Sequence, residues 1–210
     1  GAIERLGGRI VKVPYERWWQ TLADCGYPEL DGFFVHPVQD DRVMAGNGTI
    51  GLELLEDLPE PDVVLVPFGG GGLSSGIASA VKALRPETKV YAVEPETGAP
   101  LTAAFAAGEP AQIDFRASFV DGAGGPALLP EMWPLVHEVL DGAFAMSLDE
   151  TAEAVRVLAR RAHVVAEGAG ALALAAALAH RVDGGTVVCI VSGGNIDPAK
   201  LATILGGGTP

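Results

Sequence analysis

The sequence predicts an α/β fold in which a layered, mostly parallel sheet is flanked by helices. Three observations predict it. Short β-branched runs, Val63–Pro67, Val90–Val93 and Val187–Val191, have the unbroken apolar character of strands buried on both faces. Helix-length segments alternate with them, such as Ser74–Leu84 and the apolar stretch from Gly168. Finally, 210 residues at 49% hydrophobic and only 6% aromatic suit a sizeable core of helices packed closely on a sheet.

Taken in order, Ala2, Ile3 and Leu6 read as the last turn of an amphipathic helix, stopped by Gly7 and Gly8. So short a helix is unstable alone, which predicts that the chain begins inside an element. Arg9–Val13 reads as a strand, Tyr15–Cys25 as a helix, Phe33–Val35 as a short strand and Gly48–Glu56 as a helix. Pro59 and Pro61 break the chain before Val63–Pro67, and Arg85-Pro86 ends the helix from Ser74. Residues 95–134 read as irregular, with a short helix over Leu101–Ala107. Ser147-Leu-Asp-Glu150 matches a capping box and predicts a helix to about Arg161. Pro198 suits the first turn of a final helix.

Acidic residues number 27 against 14 basic ones, for a net charge of −13. Such a surface repels phosphate backbones, so neither nucleic acid nor an anionic membrane is expected as a partner. Cys25 and Cys189 form no CxxC pair, and Cys189 sits in an apolar run, consistent with a reducing cytoplasm. No signal peptide or membrane span is read. His36, His137, His163 and His180 lack ligand spacing.

The most informative stretch is Val63–Pro67, Phe68, then Gly69–Gly72 and a helix. Four glycines let the backbone turn tightly and approach a ligand, and amides at a helix N-terminus favour a phosphate. A P-loop would need Gly-Lys-Ser/Thr, which does not follow. A dinucleotide loop fits imperfectly, because Ser74 and Ser75 stand where glycine or alanine is wanted; Glu94 is the candidate ribose partner. A purely structural glycine turn is the competing reading. Gly168-Ala-Gly170 with Ala173 matches the dinucleotide string but follows no convincing strand, and reads as a close helix contact.

Val64-Leu-Val-Pro-Phe-Gly-Gly-Gly-Gly-Leu73 resembles the phosphate loop of fold-type-II pyridoxal-phosphate enzymes, in the serine/threonine dehydratase and serine racemase group. The resemblance continues in order through His36-Pro-Val-Gln-Asp40, Ala45-Gly-Asn-Gly-Thr-Ile50, Val93-Glu-Pro95, Asp121-Gly122, Glu167-Gly-Ala-Gly170 and Ser192-Gly-Gly-Asn195. The family has glutamine where this chain has Asn47. The resemblance implies a tryptophan-synthase-β-like architecture, with residues 1–36 a remnant of a small domain and 37–210 most of the large, cofactor-binding one.

It also implies roles. The amides of Gly69, Gly70, Gly71, Gly72 and Leu73 hold the cofactor phosphate. Ser192, with Gly193, faces the pyridine nitrogen, where a neutral hydroxyl makes a milder electron sink suited to β-elimination. The alternative for Ser192 is a cap of the next helix. Glu167 lies at the cofactor edge, or alternatively serves as a helix N-terminal carboxylate. Asp121 and Gly122 shape the substrate pocket, or simply form a turn. Glu94 and the Gly98 carbonyl match two ligands of a divalent-cation site in some members; Pro100 stands where the last carboxylate belongs, so the site is doubtful.

The family's Schiff-base lysine lies upstream of the glycine loop in a Ser/Phe-Lys motif. Lys12, Lys82, Lys89 and Lys200 show no such motif. The lysine-bearing N-terminal part is therefore expected to be absent, leaving this chain alone inactive. The intact parent is expected to deaminate L-threonine or L-serine to a 2-oxo acid and ammonia. The alternatives are a racemase of the same family, a non-catalytic interaction fragment, and a nucleotide-binding α/β domain. The expected partners are a small amino acid and either a second copy or the missing N-terminal segment.

Overall fold

The computed structural model describes residues 2–210. The chain divides into two compact units, Gly1–Pro37 and Val38–Pro210.

In the first unit, α1 (Ala2–Arg5) and α2 (Tyr15–Ala23) are joined by a turn at Leu6-Gly7 and irregular chain. The buried His36 ring places Nε2 3.2 Å from the Leu22 carbonyl, fastening the end of the unit to α2. Arg9–Val13 and Phe33–Val35 are not strands: among the described residues no ladder pairs with either. An alternating pattern supplies side chains for a sheet but not a hydrogen-bonding neighbour. Val11, Phe33 and Val35 accordingly remain 43%, 70% and 60% exposed.

The second unit begins with α3 (Asp41–Asp57), which starts well before the expected Gly48. The Asp40 carboxylate accepts from the Arg42 N–H and caps it. Gly46, Gly48 and Gly51 weaken the local helix signal, and Gly48 and Gly51 permit close packing on α4 (Gly72–Leu84). A Cβ on Gly51 would come 3.0 Å from the Ile77 carbonyl, and one on Gly76 would strike the Met44 carbonyl.

β1 (Val63–Pro67), β2 (Lys89–Pro95), β3 (Gly142–Met146) and β4 (Val187–Cys189) form a four-stranded sheet in the order β3-β2-β1-β4. Every pairing is parallel, with Val63 opposite both Lys89 and Val187. β1 is buried along its whole length, as its unbroken apolar run predicts. The sequence pattern does not predict β3. The fourth strand ends at Cys189 rather than Val191, although the Ile190 N–H still donates to the Leu65 carbonyl.

Between β2 and β3 run α5 (Pro100–Ala107), closed by Gly108 in the left-handed region, and α6 (Trp133–Val139). After β3, α7 (Leu148–Val157) opens on the predicted capping box: Ser147 Oγ accepts from the Glu150 N–H, and the Glu150 carboxylate accepts from the Ser147 N–H. A wider π turn, Leu158–Ala162, prolongs it. The apolar α8 (Gly168–Leu178) lies against β1 and β2, and α9 (Pro198–Leu205) packs on α7. Leu65, Val93, Phe119, Val155, Leu172 and Ile204 belong to one core cluster. No helix among the described residues is long and apolar enough to cross a membrane.

Candidate functional site

The order β3-β2-β1-β4 places a topological switch point between β1 and β4. From β1 the chain proceeds to β2 on one side, while β4 joins on the other. Ligands of parallel α/β sheets bind beyond the carboxyl ends of the strands at such a point. The loop after β1 is Phe68–Gly71, and the loop after β4 carries Ser192–Asn195. Both loops singled out by the sequence therefore leave adjacent strands at the same edge.

The glycine loop is tight at Gly70 and Gly71. Gly71, the N-cap of α4, has φ +106°, which glycine tolerates and other residues rarely do. A Cβ there would come 3.2 Å from Met132 Cε and from the Phe68 ring, and one on Gly70 would land on the Val38 side chain. The first helical bond of α4 is donated by the Ser75 N–H to the Gly71 carbonyl, 2.8 Å. Among the described residues, the N–H groups of Gly69 through Ser74 have no acceptor. Gly71, Gly72 and Ser74 are buried, while Gly69, Gly70 and Leu73 are half-buried. A row of unspent donors at the positive end of a helix is the donor set that fits a phosphate.

The other predicted residues converge on this edge. The loop from Gly122 to Gly124 lies against Gly69, and the Gly124 N–H donates to the Phe68 carbonyl, 2.9 Å. A Cβ on Gly122 would sit 3.6 Å from Glu167 Oε1, and one on Gly193 would strike that same oxygen. Glu167 is the N-cap residue of α8, so its carboxylate stands at the helix N-terminus, and it makes no side-chain capping bond. Its own N–H donates to the Gly193 carbonyl, 3.0 Å. Gly170 lies on the Gly193 backbone and Gly168 on Phe119 and Val120, which makes Gly168-Ala-Gly170 the close helix contact that its sequence context predicts.

Ser192 is exposed at the mouth of the β4 loop. It does not cap α9; the Asp197 carboxylate does, accepting from the Ala199 and Lys200 N–H groups. Asp121 stands 68% exposed, with Lys200 Nζ 3.3 Å away. Lys82 and Lys89 are both spent on Asp141, at 2.6 and 2.8 Å. Burial would push the Asp141 carboxyl up, but hydrogen bonds from the two lysines and the Val90 N–H outweigh it and hold it below the usual range.

Glu94 has a different occupation. It is fully buried, and its oxygens accept from the Leu101 N–H at 3.0 Å, the Thr102 N–H at 2.8 Å and the Thr102 hydroxyl at 2.7 Å. The carboxylate thus closes the N-terminus of α5. Burial pushes its pKa up to about 7 against the pull of these three donors. The Gly98 carbonyl faces Gly124, where a Cβ would collide with it. No group of three or more metal-ligating side chains occurs among the described residues.

Two features of the site escape the sequence. Gly122 reads as a substrate-pocket or turn residue, and the sequence does not show that Gly122–Gly124 lie against Gly69. Ser75 stands out in the sequence only as a mismatch to a dinucleotide loop; in the fold it is fully buried with an unpartnered hydroxyl.

Comparison with known proteins agrees with this geometry. The family model described as pyridoxal-phosphate dependent enzyme matches residues 1–193. An L-threonine ammonia-lyase of Thermotoga maritima is 41% identical over 210 residues, covering 99% of this chain and 51% of that protein. The crystal structure of the T.th. threonine deaminase is 37% identical with a TM-score of 0.77, covering 93% of this chain and 70% of that one. The maize serine racemase structure is 30% identical with a TM-score of 0.84, covering 96% and 63%. The chain spans about half the length of the curated ammonia-lyases it matches.

Proposed function

This chain belongs to the family of fold-type-II pyridoxal-phosphate-dependent enzymes, related over most of its length to threonine dehydratases and serine racemases, and on that premise we propose that it forms the phosphate- and ring-binding part of an L-threonine or L-serine ammonia-lyase. The observation that carries the reading is the row of unspent amides from Gly69 to Ser74, at the switch point shared with Ser192.

In this reading the Gly69–Leu73 amides hold the cofactor phosphate, and the helix α4 dipole supports its charge. The Ser192 hydroxyl meets the ring nitrogen and carries no charge to it. Glu167 borders the ring edge between Gly122 and Gly193. Asp121 and Gly122 line the side from which the amino acid enters. Bound pyridoxal phosphate supplies the electron sink that weakens the Cα–H bond and lets the β-hydroxyl depart. The lysine that moves the Cα proton is contributed by polypeptide outside these 210 residues. The relatives' greater length supports that assignment, as does the commitment of Lys82 and Lys89 to Asp141 and of Lys200 to Asp121.

The test is to titrate this chain, and a product extended upstream in its coding sequence, with pyridoxal phosphate, and then to supply L-threonine. The reading predicts cofactor binding by both and 2-oxo acid release by the longer product alone. Failure of the longer product to bind cofactor would sink it. Racemisation is the second reading, favoured by the likeness to the maize serine racemase. It predicts D-amino acid in place of 2-oxo acid.

A further inference from the structure

The hydroxyl of Ser75 is the single buried side-chain polar atom without a hydrogen-bond partner among the described residues. An orphaned donor in a fully buried position lowers stability unless something absent from the protein satisfies it. The neighbouring Ser74 shows what an idle serine does here: its hydroxyl donates back to the Gly71 carbonyl, 3.2 Å. That carbonyl also receives the Ser75 N–H, so Ser75 Oγ–H is left over.

Its position says what it serves. Cα–Cβ bonds in a helix tilt toward the N-terminus, and a side chain covers the turn that precedes its own residue. For Ser75 that turn is Gly71–Gly72, whose amides are buried and equally without acceptors. Two independent sets of unspent donors, backbone and side chain, therefore crowd the same end of α4. A phosphate monoester has three terminal oxygens, each able to accept more than one hydrogen bond, and can satisfy both sets.

We propose that Ser75 donates its hydroxyl hydrogen to the phosphate seated on the Gly69–Leu73 amides. It is thus a side-chain ligand within a loop that otherwise binds through backbone alone. This rests on the reading of the glycine loop as a phosphate site. The hydroxyl adds a side-chain donor beside the backbone amides.

The test compares the 210-residue chain with its Ser75→Ala and Ser75→Cys variants, using inorganic phosphate and pyridoxal phosphate as probes. Thermal melting is followed with and without phosphate, and cofactor affinity by fluorescence titration. Without phosphate, Ser75→Ala melts at or above the parent temperature, because an unsatisfied buried group has been removed. Its affinity for both probes falls about tenfold, while affinity for unphosphorylated pyridoxal is unchanged. Ser75→Cys keeps the side-chain shape with a somewhat larger atom, lacks a strong donor, and shows the same loss. Parent-like phosphate affinity in both variants would overturn the role of Ser75 while leaving the glycine-loop site standing. A parent chain that binds neither probe would overturn both.

Discussion

β1 and β2 end at the same edge of the sheet, and each strand end carries a feature the sequence offers as a ligand site. In the first, the polar groups point at nothing: the amides from Gly69 to Ser74 and the Ser75 hydroxyl have no protein acceptor among the described residues. In the second, the Glu94 carboxylate is fully occupied by the N-terminus of α5 through Leu101 and Thr102. Both strand ends lead toward helices, but only β1 borders the switch point with β4. They differ further in whether the chain satisfies its own donors and acceptors. A satisfied group builds the fold; an unsatisfied buried group waits for a ligand.

That contrast can be broken most sharply at Gly71. Gly71→Ala must place a side chain at φ +106° and 3.2 Å from Met132 and Phe68. The account predicts that pyridoxal phosphate affinity falls at least about a hundredfold, well beyond the single-bond loss expected at Ser75. Retention of parent-like affinity in a fluorescence titration would place the phosphate elsewhere.

The end of β2 should respond in stability rather than in binding. Glu94→Ala uncovers the Leu101 and Thr102 donors in a buried place, and a loss of roughly 2–4 kcal/mol is expected from denaturant unfolding, with cofactor affinity held within about twofold. Glu94→Gln isolates the charge. The Glu94 pKa is raised to about 7 from an ordinary 4.5, so the folded state holds the proton more tightly than the unfolded one. Its stabilising contribution is then complete below about pH 4.5 and is lost as the pH rises through about 7. The parent should lose stability relative to Glu94→Gln across that window, by up to about 3 kcal/mol. A flat difference between them would remove Glu94 as the buried titrating group.

Smaller effects sharpen the comparison. Ser192→Ala removes one neutral contact at an exposed position, and a roughly three- to tenfold weaker cofactor affinity is expected, about 1 kcal/mol. Its distinguishing sign is a changed absorbance of the bound cofactor, which a merely structural role would leave alone. Smallest of all, millimolar magnesium or a chelator should not move the melting temperature, because Glu94 is spent on α5 and Pro100 brings no carboxylate. A clear rise in melting temperature with magnesium would show that the carboxylate gives up its helix.

Much of this site is legible in the sequence because its signals are local. A β-branched run, a proline and four glycines before a helix need no distant partner to be recognised, and Ser147–Glu150 carries its whole capping box within one turn. What is not legible depends on partners far along the chain. β3, Gly142-Ala-Phe-Ala-Met, is poor in strand formers and exists because β2 offers it a parallel edge. Arg9–Val13 has the pattern of a strand and no described neighbour to pair with. The start of α3 is hidden by glycines that look like helix breakers and serve as its contact with α4. The use of Glu94 is hidden for the same reason: the family resemblance offers it only as one ligand of a cation site lacking its last carboxylate, whereas its donors lie in the helix that follows.

The central claim is that the loop after β1 binds through the phosphate. The most direct measurement is a paired titration of this chain with pyridoxal phosphate and with unphosphorylated pyridoxal. The account predicts saturable binding of the first and at least about hundredfold weaker binding of the second, with the difference abolished in Gly71→Ala. Equal affinity for the two, or no binding of pyridoxal phosphate, would contradict it.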